Sequence, residues 1–166
     1  IMQNKKVRLI FLILVLLVSC GCNIISYKNI DKDEKGYFRA HYNSCGPEAL
    51  DKALFEMNQS SNTREISRNI QDGGNNLRFF LALCHPELIE ITLPHEMQKV
   101  AAKYGFQTKT TKSLENLKET DIALILVSNK TYTKCHWLCF PVDQNIKAFF
   151  GEGTRIHKIF LLKKVD

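Results

Sequence analysis

The chain predicts an α+β domain in which a helical first half packs against an antiparallel sheet built from the second half. Two observations carry this. Apolar residues in the first half recur at helical spacing, as in Ala49, Leu50, Ala53, Leu54 and Met57. In the second half they gather into short β-branched runs divided by turn residues.

Taken in order, the first helix starts at Cys45-Gly46-Pro47, where proline has a φ suited to a first helical turn, and ends at Gln59-Ser60-Ser61. A second helix starts at Asn62, with Glu65 completing a capping box and Ile66 and Ile70 on its apolar face. Asp72-Gly73-Gly74-Asn75-Asn76 is a loop. Leu77 to Leu83 predicts a further helix, followed by a turn at His85-Pro86. Pro94 opens a helix with Met97, Val100, Ala101 and Tyr104 on one face and Gly105 as its stop. Four strands are then predicted, at Ile122 to Val127, His136 to Val142, Lys147 to Phe150 and Ile156 to Leu162. Between them lie Ser128-Asn129-Lys130, Asp143-Gln144-Asn145 and Gly151-Glu152-Gly153.

The 166 residues, 45% of them hydrophobic, suffice for one domain with a core. Lys5, Lys6 and Arg8 precede an apolar run from Leu9 to Val18, and Ser19-Cys20 follows. This is the layout of a bacterial signal peptide, and the run is shorter than the roughly 20 residues a membrane span requires. Leu17-Val18-Ser19-Cys20 resembles the lipobox, which implies a lipid anchor on Cys20 and an exported, membrane-anchored protein of the cell envelope. The expected organisation is therefore a signal peptide at 1–19, a polar tether at 20–36 and a folded domain at 37–166. The three leader cations account for half of the formal net charge of +6. The remaining basic residues are scattered without interleaved aromatics, which excludes a nucleic-acid partner.

Candidate chemistry begins with Cys45. Unpaired N–H groups and the positive end of the dipole at a helix start favour thiolate over thiol. Gly46 keeps bulk away from the sulfur. Downstream, His136 in Cys135-His136-Trp137-Leu138-Cys139-Phe140 supplies an imidazole base for such a nucleophile.

These motifs resemble the papain-like cysteine peptidases of the bacteriocin-processing, double-glycine type. Ser44-Cys45-Gly46-Pro47-Glu48-Ala49 matches the element opening the nucleophile helix, and His136-Trp137-Leu138 the histidine that begins a strand. The resemblance covers 37–166 and implies the papain-like fold, with cysteine-dependent hydrolysis of a peptide or protein substrate and no cofactor. It gives Cys45 as nucleophile, His136 as proton carrier and Glu152 as the acid that orients the imidazole. Asp143 and Asn145 are set aside as lying in a turn at the wrong end of the strand. Where that family has a glutamine six residues before the cysteine, this chain has Arg39, so His41 and Asn43 become the candidate side-chain donors to an oxyanion. The transporter portion of the bacteriocin exporters is absent from the sequence.

Alternatives of other classes stand beside this reading. One is a catalytically inactive domain of the same fold that binds a peptide or an envelope partner, for which Arg39 argues. Amidase or acyl-transfer chemistry uses the same thioester step. A structural zinc or disulfide domain would draw on Cys84, His85, Cys135, His136 and Cys139, although adjacent Cys135 and His136 on a strand point to opposite faces. His41, His85, His95 and His157 also have a plain reading as surface or local hydrogen-bonding groups, and Trp137 as core or groove wall.

Overall fold

The computed structural model describes residues 32–73, 90–131, 134–143 and 145–165. The expected leader, Cys20, most of the expected tether, the helix expected at Leu77 to Leu83, Cys84 and His85 lie outside the described residues.

Three α-helices and a four-stranded antiparallel sheet make up the described residues. Helix α1 spans Cys45–Glu56, α2 Thr63–Gly73 and α3 Pro94–Lys103. The strands are β1 (Phe106–Thr111), β2 (Ala123–Ser128), β3 (Cys135–Phe140) and β4 (Arg155–Lys164). Their order across the sheet is β1-β4-β2-β3, so β3 and β1 are the edges. The fold class is α+β, with helices preceding strands along the chain.

Helix α1 buries Ala49, Leu50, Ala53 and Leu54 on the face that meets the sheet. It stops at Glu56, three residues before the expected Gln59, where Asn58 takes a φ of +57° that an asparagine tolerates. The Asn62 side chain accepts the Glu65 N–H at 2.8 Å and starts α2, which buries Ile66, Ser67, Ile70 and Gln71. At α3 the Glu96 carboxylate accepts the Leu93 N–H at 2.9 Å, and Gly105, with φ +81°, carries the chain into β1.

One core cluster lies between sheet and helices and includes Leu50, Leu54, Ile66, Met97, Phe106, Trp137, Cys139 and Phe160. The other face of the sheet has its own cluster, built from Ala123, Ile125, Val127, Leu138, Ile146 and Ile159. Side chains alternate along β3 as expected, Trp137 and Cys139 facing the helices and Leu138 the other side.

Two strand expectations are corrected. Residues 147–150 form no strand. Short 3-10 turns at Ile146–Ala148 and Gly151–Gly153 replace it, because Ile146 and Phe150 pack against the second face of the sheet at a spacing of four, not two. Conversely, β1 forms from Phe-Gln-Thr-Lys-Thr-Thr, in which Phe106 alone is buried. Pairing with the long β4, from Phe106 opposite Lys164 to Thr111 opposite Ile159, stabilises a strand with no apolar alternation to announce it.

Packing also extends into the expected tether. Asp33 is buried, bonded to Tyr42 and Arg68, and accepts the N–H groups of Lys35 and Tyr37 at 2.9 and 3.0 Å. Burial alone would raise its pKa, but the Tyr42 and Arg68 hydrogen bonds and the two backbone donors outweigh it and hold the carboxyl well below the usual range. The packed domain therefore reaches back before Tyr37.

One close approach fixes where α1 begins. A Cβ built on Gly46 would lie 2.1 Å from Thr92 Oγ1 and 2.4 Å from Thr92 Cβ, so only glycine lets the two segments meet. Gly46→Ala is expected to destabilise the domain by about 1–3 kcal/mol, the usual cost of overpacking, read as a lower urea midpoint at unchanged slope.

Candidate active site

Cys45 is the first residue of α1. Ser44 precedes it in extended conformation and turns its hydroxyl back to donate to the His41 carbonyl at 2.9 Å, so the N-cap side chain takes up no first-turn N–H. The thiol is half-buried against the helix-side core, and the backbone N–H groups of Trp137 and of Cys45 itself pull its pKa downward.

The Trp137 contact is informative because β3 is an edge strand. Register pairs His136 with Val127 and Trp137 with Leu126 in β2. The N–H of Trp137, the residue after His136, acts on the nucleophile candidate, so α1 starts beside this edge strand. Trp137 is core: its indole N–H donates to the Thr92 carbonyl at 2.8 Å and its ring stacks on Phe160.

His136 is half-buried and its ring stacks on Phe149, with centroids 4.6 Å apart and an interplanar angle of 19°. Burial depresses its pKa below the ordinary histidine value. Glu48 and Asp143 pull it upward and Lys52 pulls it down. Glu48 acts on Cys45 as well, so one carboxylate on the first turn of α1 is felt by both members of the expected dyad. Lys52 bridges the two acids, 3.2 Å from Glu48 and 3.1 Å from Asp143.

Asp143 lies just after β3, beyond the end away from His136. The chain turns after Phe140 through a cis peptide to Pro141, and Asp143 folds back along β3 so that its carboxylate accepts the Cys139 N–H at 2.7 Å. Glu152, expected at the end of a strand, instead occupies the exposed turn Gly151–Gly153 and is not among the charges that act on His136. Glu48 lies three residues after Cys45 and Lys52 four after Glu48, a helical spacing readable in the sequence. No comparable signal pointed to Asp143.

The other candidates are placed as follows. His41 is fully buried and not a surface group, its Nδ1 hydrogen-bonded to Ser67 Oγ at 2.7 Å and its Nε2 to Thr92 Oγ1 at 3.2 Å. With both ring nitrogens engaged it ties α2 to the start of α1, and Asn43, exposed in the 3-10 turn Arg39–Asn43, is left as the candidate side-chain donor. His95 is exposed, and His157 hydrogen-bonds to Ser128 Oγ at 2.6 Å. Cys45, Cys135 and Cys139 are free thiols. Cys139 is buried, and burial, the largest effect, pushes its pKa up to about 12. Among the described residues no three His, Cys, Asp or Glu side chains converge on a metal-sized site, and no helix is long and apolar enough to cross a membrane.

The expectation of a stabilised thiolate is corrected. Burial pushes the Cys45 thiol up and outweighs the lowering pull of the two N–H donors, while Glu48 and Cys135 add to the rise. With His136 pushed down, burial favours the neutral form of both groups. A depressed histidine stabilises the fold above its unfolded value of about 6.5 and loses that contribution as pH falls; a raised thiol does so below about 8.5 and loses it as pH rises. Thermal stability is expected to plateau between these values. Cys45→Ala should lessen the alkaline limb, to which buried Cys139 also contributes, and His136→Ala should lessen the acidic limb, each measured by melting across pH. Comparison of the chain with protein-family models, with curated proteins and with solved structures gives no significant match.

Proposed function

We propose that the protein is a cysteine hydrolase of papain-like type, cleaving a peptide or amide bond with Cys45 and His136. The observation that carries this is the Cys45 thiol at the head of α1, acted on by the backbone N–H of Trp137, the residue next to His136 on the edge strand β3. The helix-first order and the antiparallel sheet support the same reading. No cofactor enters the reaction.

In this reading His136, neutral at rest, takes the Cys45 proton as the sulfur attacks the substrate carbonyl, and the resulting imidazolium passes that proton to the leaving amine. Water then hydrolyses the thioester by the same base. Negative charge from Glu48 and Asp143 favours the imidazolium when it forms, the part for which Glu152 was expected. Helix-start N–H groups at Cys45 and the Asn43 side chain are the donors to the oxyanion. An open groove of about 860 Å³ lies along the second half of α1, from Lys52 past Phe55 to Asn58, with Val142 on its wall and neither Cys45 nor His136 in its lining.

A second reading, an inactive domain of this kind that binds a peptide, is favoured by the raised Cys45 pKa and by Arg39 at the family's glutamine position. The leader sequence adds the proposal that the protein is exported and held to the membrane through lipidated Cys20, so Cys20→Ala should move it from the membrane fraction to the soluble one.

The two readings separate in one experiment on the full chain. Iodoacetamide alkylation and cleavage of a peptide library are measured for the parent, Cys45→Ala, His136→Ala and Glu152→Gln. The hydrolase reading expects loss of cleavage by about 10⁴-fold in Cys45→Ala, a comparable fall in His136→Ala and little change in Glu152→Gln. Cys45 alkylation indifferent to His136, with peptide retained but uncut, would establish the binding domain instead.

A further inference from the structure

We propose that Phe149 is a positioning residue for His136, its ring covering one face of the imidazole and fixing the plane in which the two ring nitrogens lie. The proposal rests on the Cys45–His136 reading and adds to it a residue outside the dyad.

Phe149 is 45% exposed, more than a phenylalanine retained for burial alone would be. Its contacts are aromatic. The imidazole lies nearly parallel to it at 4.6 Å, and Phe150 meets its ring edge-on at 5.0 Å and 88°. Both geometries lie in the range preferred by aromatic pairs.

The surrounding turn is built to hold this ring in place. Ile146 is buried in the second core cluster, and Phe150 packs against the same cluster. The Phe150 N–H donates to Thr154 Oγ1 at 2.8 Å, and that hydroxyl donates to the Gly151 carbonyl at 2.8 Å. Gly151 takes a φ of +71°, which admits the reversal. A Cβ on Gly153 would come within 3.2 Å of Lys130 Cβ, so the end of the turn lies against the loop after β2. The turn is thus anchored at Ile146 and Gly153, and Phe149 projects from between them onto His136.

An edge-strand histidine has solvent on several sides. Here Glu48 and Lys52 face it from α1 and Asp143 from the turn after β3, while the Phe149 ring closes a side that no charge occupies. A fixed ring plane sets where the two ring nitrogens point, and a fixed direction of approach is the geometric requirement of a general base. Withdrawal of water from that face also favours the neutral imidazole.

The test follows the His136 ring by NMR titration in the full chain for the parent, Phe149→Ala, Phe149→Leu and Phe149→Tyr, with Cys45 alkylation measured in parallel. Phe149→Ala is expected to raise the His136 titration midpoint toward the ordinary value of about 6.5 and to slow alkylation near neutral pH by about 2-fold to 10-fold. Phe149→Tyr should restore both. Phe149→Leu, which keeps apolar bulk in the turn without a stacking face, should resemble the alanine variant with an unchanged melting temperature. An unchanged midpoint in both Phe149→Ala and Phe149→Leu overturns the proposal. If parent alkylation proves indifferent to His136→Ala, the dyad fails, and the titration alone decides whether Phe149 positions the ring.

Discussion

Thr92 is the point on which the site depends. Its hydroxyl bonds the buried His41, its carbonyl accepts the indole N–H of Trp137, and its Cβ fills the space a side chain at position 46 would need. The turn before α1 and the start of α1 meet there with the middle of β3, which is distant in sequence. His41 carries the connection on to Ser67 in α2, whose hydroxyl also accepts from Gln71 at 3.1 Å. Because these polar groups are buried, each lost bond would leave a desolvated partner behind. The helix start is thereby held against the sheet edge, and that placement, more than any property of the thiol, brings Cys45 to the strand of His136.

The electrostatics of the site follow from burial. Unpaired N–H groups and the dipole at a helix start lower a thiol pKa, and the sequence pattern points only to these. Desolvation acts the other way on Cys45, and on His136 it removes the proton that an ion pair would need. The resulting neutral pair suits an enzyme whose proton transfer accompanies attack on substrate, with Glu48 and Asp143 placed to favour charge on the imidazole only when it develops. Lys52, between the two carboxylates, limits how strongly they raise the resting histidine.

Much of this was legible in the chain. Helical spacing located α1, α2 and α3, Asn62 and Gly105 marked boundaries that the structure keeps, and β-branched runs found β2, β3 and β4. Cys45 at a helix start and His136 on a strand were both readable because local pattern decides them. What failed depended on tertiary partners. β1 is polar and exists through β4. The run around Phe149 and Phe150 carries strand-like residues, yet Ile146 and Phe150 find a better apolar surface as a turn. Asp143 was set aside as lying in a turn at the wrong end of the strand for His136; the chain doubles back there and its carboxylate bonds the Cys139 N–H, which no local pattern announces. Asp33, in a stretch of charges typical of a tether, is buried because Arg68 and Tyr42 await it from elsewhere.

The same doubling back changes what the sheet can associate with. An edge strand normally presents a ladder of free donors and acceptors onto which another chain can add, a route to aggregation as well as to recognition. On β3 both the N–H and the carbonyl of Cys139 are occupied by Asp143, whose carboxylate accepts the one and whose own N–H reaches the other at 2.7 Å. The far end of the strand that carries the histidine is therefore closed to main-chain pairing. A segment adding to this edge would be limited to the stretch before Cys139, and two copies of the domain would have a correspondingly shorter backbone seam there through which to polymerise.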